Sequence, residues 1–214
     1  MVVLKSHVRQ PERSEEIWKP ESSLDILIVM LYAKGVEGRI GEPIEGITRL
    51  DKIMFLLSET EEFRETVNKG YEFEAYNFGP FAPEIFDDIA ALKQEGIIEA
   101  VSSREPKNKI ETIDEQTMEQ PLNEDIEIED DHATRRERKD ISWKNYSVER
   151  YELTDLGLRI GSFLFNGLSE GQRTKLESTK KAFQKMSLKN LLHYVYAKYP
   201  EMTKRSKIRR KVLF

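Results

Sequence analysis

The chain contains no cysteine. That excludes disulfides, thiol nucleophiles and thiolate-held zinc, and it accords with a reducing compartment. Histidine is scarce: His7, His132 and His193 are the only three in 214 residues. They are scattered. His193 falls in an apolar helical stretch, where a hydrogen-bonded packing role is expected. His132 follows Asp130 and Asp131, but one imidazole beside carboxylates does not define a metal centre. Long hydrophobic runs are missing as well. The longest, residues 26–32, falls far short of the ~20 residues that a membrane-crossing helix needs. The opening MVVLKSHVRQPERSEE has no apolar core of the kind a signal peptide carries. A soluble, cytoplasmic protein is expected. There is no surplus of positive charge either, and a net charge of -5 gives no global case for nucleic acid. Gly35, Gly38 and Gly41 recur without the Lys and Ser/Thr of a phosphate loop, and no serine stands in a nucleophile elbow. No catalytic residue, metal ligand or cofactor is nominated.

What is present is enough Leu, Ile, Val and Phe for a real core. The most organised stretch is residues 71–101. Tyr71, Phe73 and Ala75 alternate with Glu72, Glu74 and Tyr76, the period of a half-buried strand. Gly79-Pro80 breaks that strand. Pro83 suits a first helical turn, where its missing N–H costs nothing. Glu84, Asp87 and Asp88 place negative charge at the positive end of that helix. Ile85, Phe86, Ile89, Ala90 and Leu92 share one face. Gly96 stands where a helix ends in a left-handed residue, and residues 97–101 resume extended structure.

Upstream, residues 1–22 form a polar lead-in. Ser22 or Ser23 caps a first helix whose apolar positions are Leu24, Leu27, Ile28, Leu31 and Tyr32. A glycine-rich loop follows. Thr48 with Asp51 reads as a weak capping box for a second helix, buried through Ile47, Leu50, Ile53, Met54 and Leu57. Residues 59–69 are a polar connection with helical character around Phe63 and Val67. Residues 104–142 differ in kind: from Glu111 to Asp131 there are many carboxylates and no Lys or Arg. Such a segment buries too little to offset its ordering entropy, so it is expected to be mobile. Arg135, Arg136, Arg138 and Lys139 then reverse the sign. Residues 146–153 return as the strand paired with 97–101, and a hairpin tip tolerates the long insertion. Thr154 caps a helix with Leu156, Ile160, Phe163 and Leu164 on its inner face, and Gly157 and Gly161 allow close approach. Two more helices, 170–184 and 188–199, form a C-terminal annex over residues 169–200 that stops at Pro200. The tail, 201–214, carries Lys204, Arg205, Lys207, Arg209, Arg210 and Lys211. Its Ile208, Val212 and Leu213 recur like one face of a short helix, suited to docking on the body or on the acidic segment.

This order predicts a mostly helical α+β protein. It comprises a winged-helix-like domain over residues 23–168, with a small antiparallel sheet and additional C-terminal helices. The last strand pair is the wing, and the acidic segment is its tip.

The residues Arg49-Leu-Asp-Lys-Ile-Met-Phe-Leu-Leu resemble a motif of the YwgA-type and Panacea (SocA-like) antitoxin group. So do Tyr76-Asn-Phe-Gly-Pro-Phe-Ala-Pro-Glu-Ile-Phe-Asp-Asp and the stretch 92–98. Tyr151-Glu-Leu-Thr-Asp-Leu-Gly is similar to the wing-to-helix return of such domains. Leu191-Leu-His-Tyr-Val-Tyr-Ala-Lys-Tyr-Pro-Glu resembles the C-terminal helix of archaeal relatives. The resemblance spans about residues 23–102 and 146–208. It implies a protein that neutralises a partner, such as a cognate toxin, by direct contact rather than by catalysis. The acidic insertion and basic tail depart from the pattern.

Two candidate surfaces follow. Phe78, Gly79, Pro80, Phe81, Glu84 and Phe86 set aromatic rings beside a rigid turn and a helix, suited to a protein partner; the same rings also suit the core. Arg135, Arg136 and the tail cations are the better candidates for nucleic acid. A winged helix used as a DNA-binding transcription regulator is the alternative reading. The helix in the recognition position opposes it, because Glu84, Asp87 and Asp88 would face phosphates. That helix also offers no Arg for guanine and no Asn for adenine. A non-enzymatic protein-interaction module is the favoured expectation.

Overall fold

The structure, a computed structural model, describes residues 19–102, 149–209 and 212. The acidic segment, Arg135, Arg136, His7, His132, Arg210, Lys211 and Leu213 lie outside the described residues.

Helix α1 (Ser23–Tyr32) begins at Ser22, whose hydroxyl accepts from the Asp25 N–H while the Asp25 carboxylate accepts from the Ser22 N–H. This reciprocal cap satisfies two donors the helix leaves unpaired. The sequence pattern suggests a stripe, but all of Ile26, Leu27, Ile28, Val29, Met30 and Leu31 are buried. A helix apolar all round is enclosed all round, and α1 is the axis of the larger core cluster.

Strand β1 (Ile44–Glu45) leads into α2 (Ile47–Ser58). The N-cap of α2 is Gly46, with φ of 81°, and it makes no side-chain cap. The capping box expected from Thr48 and Asp51 is therefore absent. The helix starts earlier, so Thr48 lies within its first turn and Asp51 points into the core. Burial on α2 also exceeds the expected stripe. Leu50, Ile53, Met54 and Leu57 join the α1 cluster. Phe55 and Leu56 face a second cluster with Leu188, Leu191, Leu192, Val195 and Tyr196. Between two cores, no side of α2 is left for water.

A short helix, α3 (Arg64–Val67), follows where helical character was expected, and Phe63 and Val67 are buried. The strand expected over 71–76 is confined to β2 (Glu74–Tyr76). Gly79-Pro80 does not end the extended structure; it belongs to β3 (Gly79–Phe81), which pairs antiparallel with β2 around an Asn77-Phe78 turn. Helix α4 (Pro83–Gln94) has Pro83 in its first turn and buries Ile85, Ile89 and Leu92; Ala90 is exposed. Gly96 has φ of 66°. Its N–H reaches the Lys93 carbonyl and that of Ile97 reaches Leu92, the double closure of a Schellman turn.

Strands β4 (Ile98–Ser102) and β5 (Glu149–Leu153) pair antiparallel, Ile98 with Leu153 through Ser102 with Glu149, and β1 joins the other edge of β5. The sheet order β1-β5-β4, with α2 and α4 inserted between β1 and β4, is that of a winged-helix-like domain. Thr154 caps α5 (Asp155–Asn166) by accepting from the Gly157 N–H. The inner face of α5 is made by glycine. A Cβ on Gly157 would stand 2.1 Å from the Ile97 carbonyl oxygen, and one on Gly161 would stand 2.8 Å from the Tyr32 ring. That close packing rolls the apolar stripe outward. Leu156 and Phe163, expected inside, are 41% and 57% exposed, while Leu164 is buried.

Helix α6 (Glu170–Gln184) opens with a Ser169–Gln172 capping box, and α7 (Leu188–Lys198) is capped by Ser187. His193 on α7 is exposed rather than packed. A 3₁₀ turn over Pro200–Thr203 then turns the chain back. Ile208 and Val212 are buried against the α7 cluster, so the tail docks on the body. Among the described residues no helix is long and apolar enough to cross a membrane.

Candidate functional site

The hairpin β2–β3 owes its position to two charged residues of α2. Pro80 faces Ala75 between the Tyr76–Gly79 and Glu74–Phe81 pairs. At such a position its lack of an N–H removes no ladder bond, and its carbonyl points out of the hairpin. Lys52 Nζ donates to that carbonyl at 2.7 Å, and Asp51 Oδ1 accepts from the Ala82 N–H at 3.2 Å. Lys52 and Asp51 are paired at 2.6 Å and almost fully buried. Together they act as a two-point substitute for a neighbouring strand along β3. Burial pushes the Asp51 carboxyl up, against the pull of Lys52 and the Ala82 N–H. The adjacent Asp-Lys in the otherwise apolar run Leu50–Leu57 is the one sequence signal for this pair, since lone charges are rarely buried.

Two further cations perform a related task. Arg49 Nη1 donates to the carbonyls of Phe183 and Met186 at 2.9 and 2.6 Å, where α6 ends. Lys180 Nζ donates to the carbonyls of Leu31 and Ala33, both at 2.8 Å, where α1 ends. Helix C-termini leave carbonyls unpaired and carry partial negative charge, so each is closed by a cation from another element. Burial lowers the Lys180 amine to about 7, against the attraction of Glu42. Burial raises the Glu42 carboxyl, but the N–H groups of Glu37 and Arg39, donating at 3.0 and 2.7 Å, outweigh it and lower the pKa overall.

On the hairpin's outer face the rings form a ladder. Tyr76 stacks on Phe81 with centroids 5.1 Å apart, and Phe81 meets Phe86 at 5.2 Å. All three are half-buried. The Arg205 guanidinium lies 5.7 Å from the Tyr76 centroid, which places a tail cation at the ladder's end. The tail is fixed there by the Lys207 N–H on the Asn77 carbonyl at 3.0 Å, and by the Tyr196 and Ser206 hydroxyls at 2.8 Å. Lys204, Arg205, Lys207 and Arg209 are exposed. Lys198 lies over Tyr194 and Tyr199, whose hydroxyls raise its pKa.

The structure thus brings together Phe81, Phe86 and the tail, two groups far apart in sequence. It separates others. Phe78 packs on the α7 cluster, and Gly79 backs onto the Tyr196 ring, 2.8 Å from where a Cβ would stand. Glu84 lies about 200° around α4 from Phe86, at ~100° per residue. It shares its side with Asp88, which accepts from the Tyr71 hydroxyl at 2.7 Å. Tyr76 was not foreseen as part of the surface. Its alternation with Phe73 and Ala75 was the available signal. Among the described residues no group of three His, Asp or Glu side chains could hold a metal ion.

Comparison with protein-family models, with curated proteins and with solved structures returns no match.

Proposed function

We propose that this chain is a non-enzymatic protein-interaction module of the Panacea-antitoxin kind, binding a protein partner directly. The observation that carries the reading is the ladder Tyr76–Phe81–Phe86, half-buried across the hairpin and α4, with the β3 edge pinned to α2 by Asp51 and Lys52. Rings held on a rigid support present contact area at little entropic cost, which suits an interface. The test is site-specific photo-crosslinking in the native host, with the photoreactive residue at position 81 or 86 and a control at exposed Ser178. One discrete protein adduct at 81 and 86, weakened by Tyr76→Ala, is expected. Equal labelling at the control site, or none at all, would overturn the reading.

A second reading, a regulator that grips DNA, is favoured by one feature: four exposed tail cations on an ordered backbone. It predicts duplex binding whose log affinity falls steeply with log salt, and a slope that shrinks when residues 203–214 are removed. Fluorescence anisotropy would read both. Glu84, Asp87 and Asp88 on α4 weigh against this reading.

A further inference from the structure

Resting on the protein-interaction reading, we propose that this surface takes a partner segment in which acidic residues directly adjoin large apolar ones. The ladder has two unlike ends. At the Tyr76 end stands Arg205, joined along the same tail by exposed Lys204, Lys207 and Arg209, with the Lys207 N–H bonded to the Asn77 carbonyl beside Tyr76. Towards the Phe86 end, Glu74 sits directly across the strand pair from Phe81 and is exposed, and exposed Asp87 follows Phe86 on α4. A cationic end attracts carboxylates; the central rings accept aliphatic or aromatic anchors; a second carboxylate stretch at the far end would be repelled.

The same layout disfavours a nucleic-acid strand. Strands without sequence preference are held by bases stacked on free aromatic faces. Here Tyr76 lies between Arg205 and Phe81, and Lys198 stands over Tyr194 and Tyr199. A backbone of evenly spaced phosphates crossing the ladder would also meet Glu74 and Asp87. The tail cations are not a loose charged end. Ile208 and Val212 are buried beside them, and the Lys207 N–H is spent on Asn77, so their positions relative to the rings are fixed.

The experiment uses the full chain and three fluorescein-labelled probes of about 12 units: a peptide with an Asp/Glu half followed by a Phe/Leu half, its scrambled isomer, and a single-stranded oligodeoxynucleotide. Anisotropy titrations at low and physiological salt are compared for the native protein, for Arg205→Ala with Lys207→Ala, and for Phe86→Ala. All three substituted side chains lie at least partly at the surface, and circular dichroism confirms folding. The block peptide is expected to bind roughly tenfold tighter than the scrambled one, and each variant to lose about that factor. The double variant should also lose most of the salt dependence. Tighter binding of the oligonucleotide, or equal binding of the two peptides, would overturn the proposal. So would recovery by photo-crosslinking of a partner whose contacting segment is basic, although that result would leave the interaction reading standing.

Discussion

Lys52 and Lys180 are both fully enclosed, yet their surroundings differ. Lys52 has a carboxylate at 2.6 Å; Lys180 has two carbonyls and a more distant Glu42. Removing one member of a buried pair strands the other, at a cost of about 3–5 kcal/mol. Lys52→Met is therefore expected to destabilise strongly, because it leaves Asp51 uncompensated. Asp51→Leu combined with Lys52→Met should cost clearly less than the sum of the two single changes. Urea unfolding of the four proteins measures the coupling, and simple additivity would refute it. For Lys180 the sign follows from proton counting. Its folded pKa of about 7 lies below the ordinary 10.5, so between those values the unfolded chain binds more protons. Stability from this group must rise with pH across that window, by at most about 1.4 kcal/mol per unit. Above about 10 the trend should reverse. Burial raises the Tyr196 phenol to about 12, and burial together with Asp88 raises Tyr71. Stability from these tyrosines is complete below 10 and is lost as pH climbs through their folded values. Chemical denaturation from pH 7 to 9.5 should show the positive slope in the native protein and its loss in Lys180→Met.

At the scale of elements, the telling contrast is between glycines. Gly157 and Gly161 let α5 lie against Ile97 and Tyr32, whereas Gly171 on α6 has nothing within 4 Å of where a Cβ would be. Gly157→Ala meets a carbonyl oxygen that cannot easily move and should cost about 1–3 kcal/mol. Gly171→Ala should stabilise by up to about 1 kcal/mol through helix propensity alone. Thermal melts of the two variants would separate them, and equal shifts would count against the packing account. The same glycines explain a misreading of the chain. Periodicity says which residues share a face but not which face turns inward, and on α5 the smallest side chains outcompete Leu156 and Phe163 for the core. Helix positions, Ser22 and Thr154 as start signals, Gly96 as a stop and the β4–β5 pairing were all legible, because each depends on local chemistry. Which charges are buried was not, because Asp51, Lys52 and Lys180 find their partners in segments remote in sequence.

Across the whole molecule, two clusters share α2 as a wall, and the tail closes the second. Ile208→Ala should cost about 2 kcal/mol. It should also release the cations from the ladder, so that hydrogen exchange quickens at Lys207 and along the hairpin but not in α1. Uniform quickening everywhere would mean that the tail supports the fold as a whole rather than this end of it. The candidate surface was half legible. Phe81 and Phe86 stood out beside their prolines, and the tail stood out by charge. Their union depends on Ile208, Val212 and one backbone bond to Asn77, a tertiary fact no local pattern encodes.

Ser102 and Glu149 face each other at the end of the β4–β5 ladder, so non-covalent pairing already holds the two chain ends together there. Covalent continuity through residues 103–148 should then be dispensable for assembly. Closing a long connection costs little more than closing a short one, and its removal exchanges that modest cost for one of association. Two polypeptides, 1–102 and 149–214, are expected to recombine into a one-to-one complex with native circular dichroism. The first would contribute α1 to α4 and the second the strand and helices that enclose them. Fragments that fail to associate when co-expressed would show that the wing pairing needs its tether. If they do associate, the molecule can be opened at that point and re-closed with any peptide of choice.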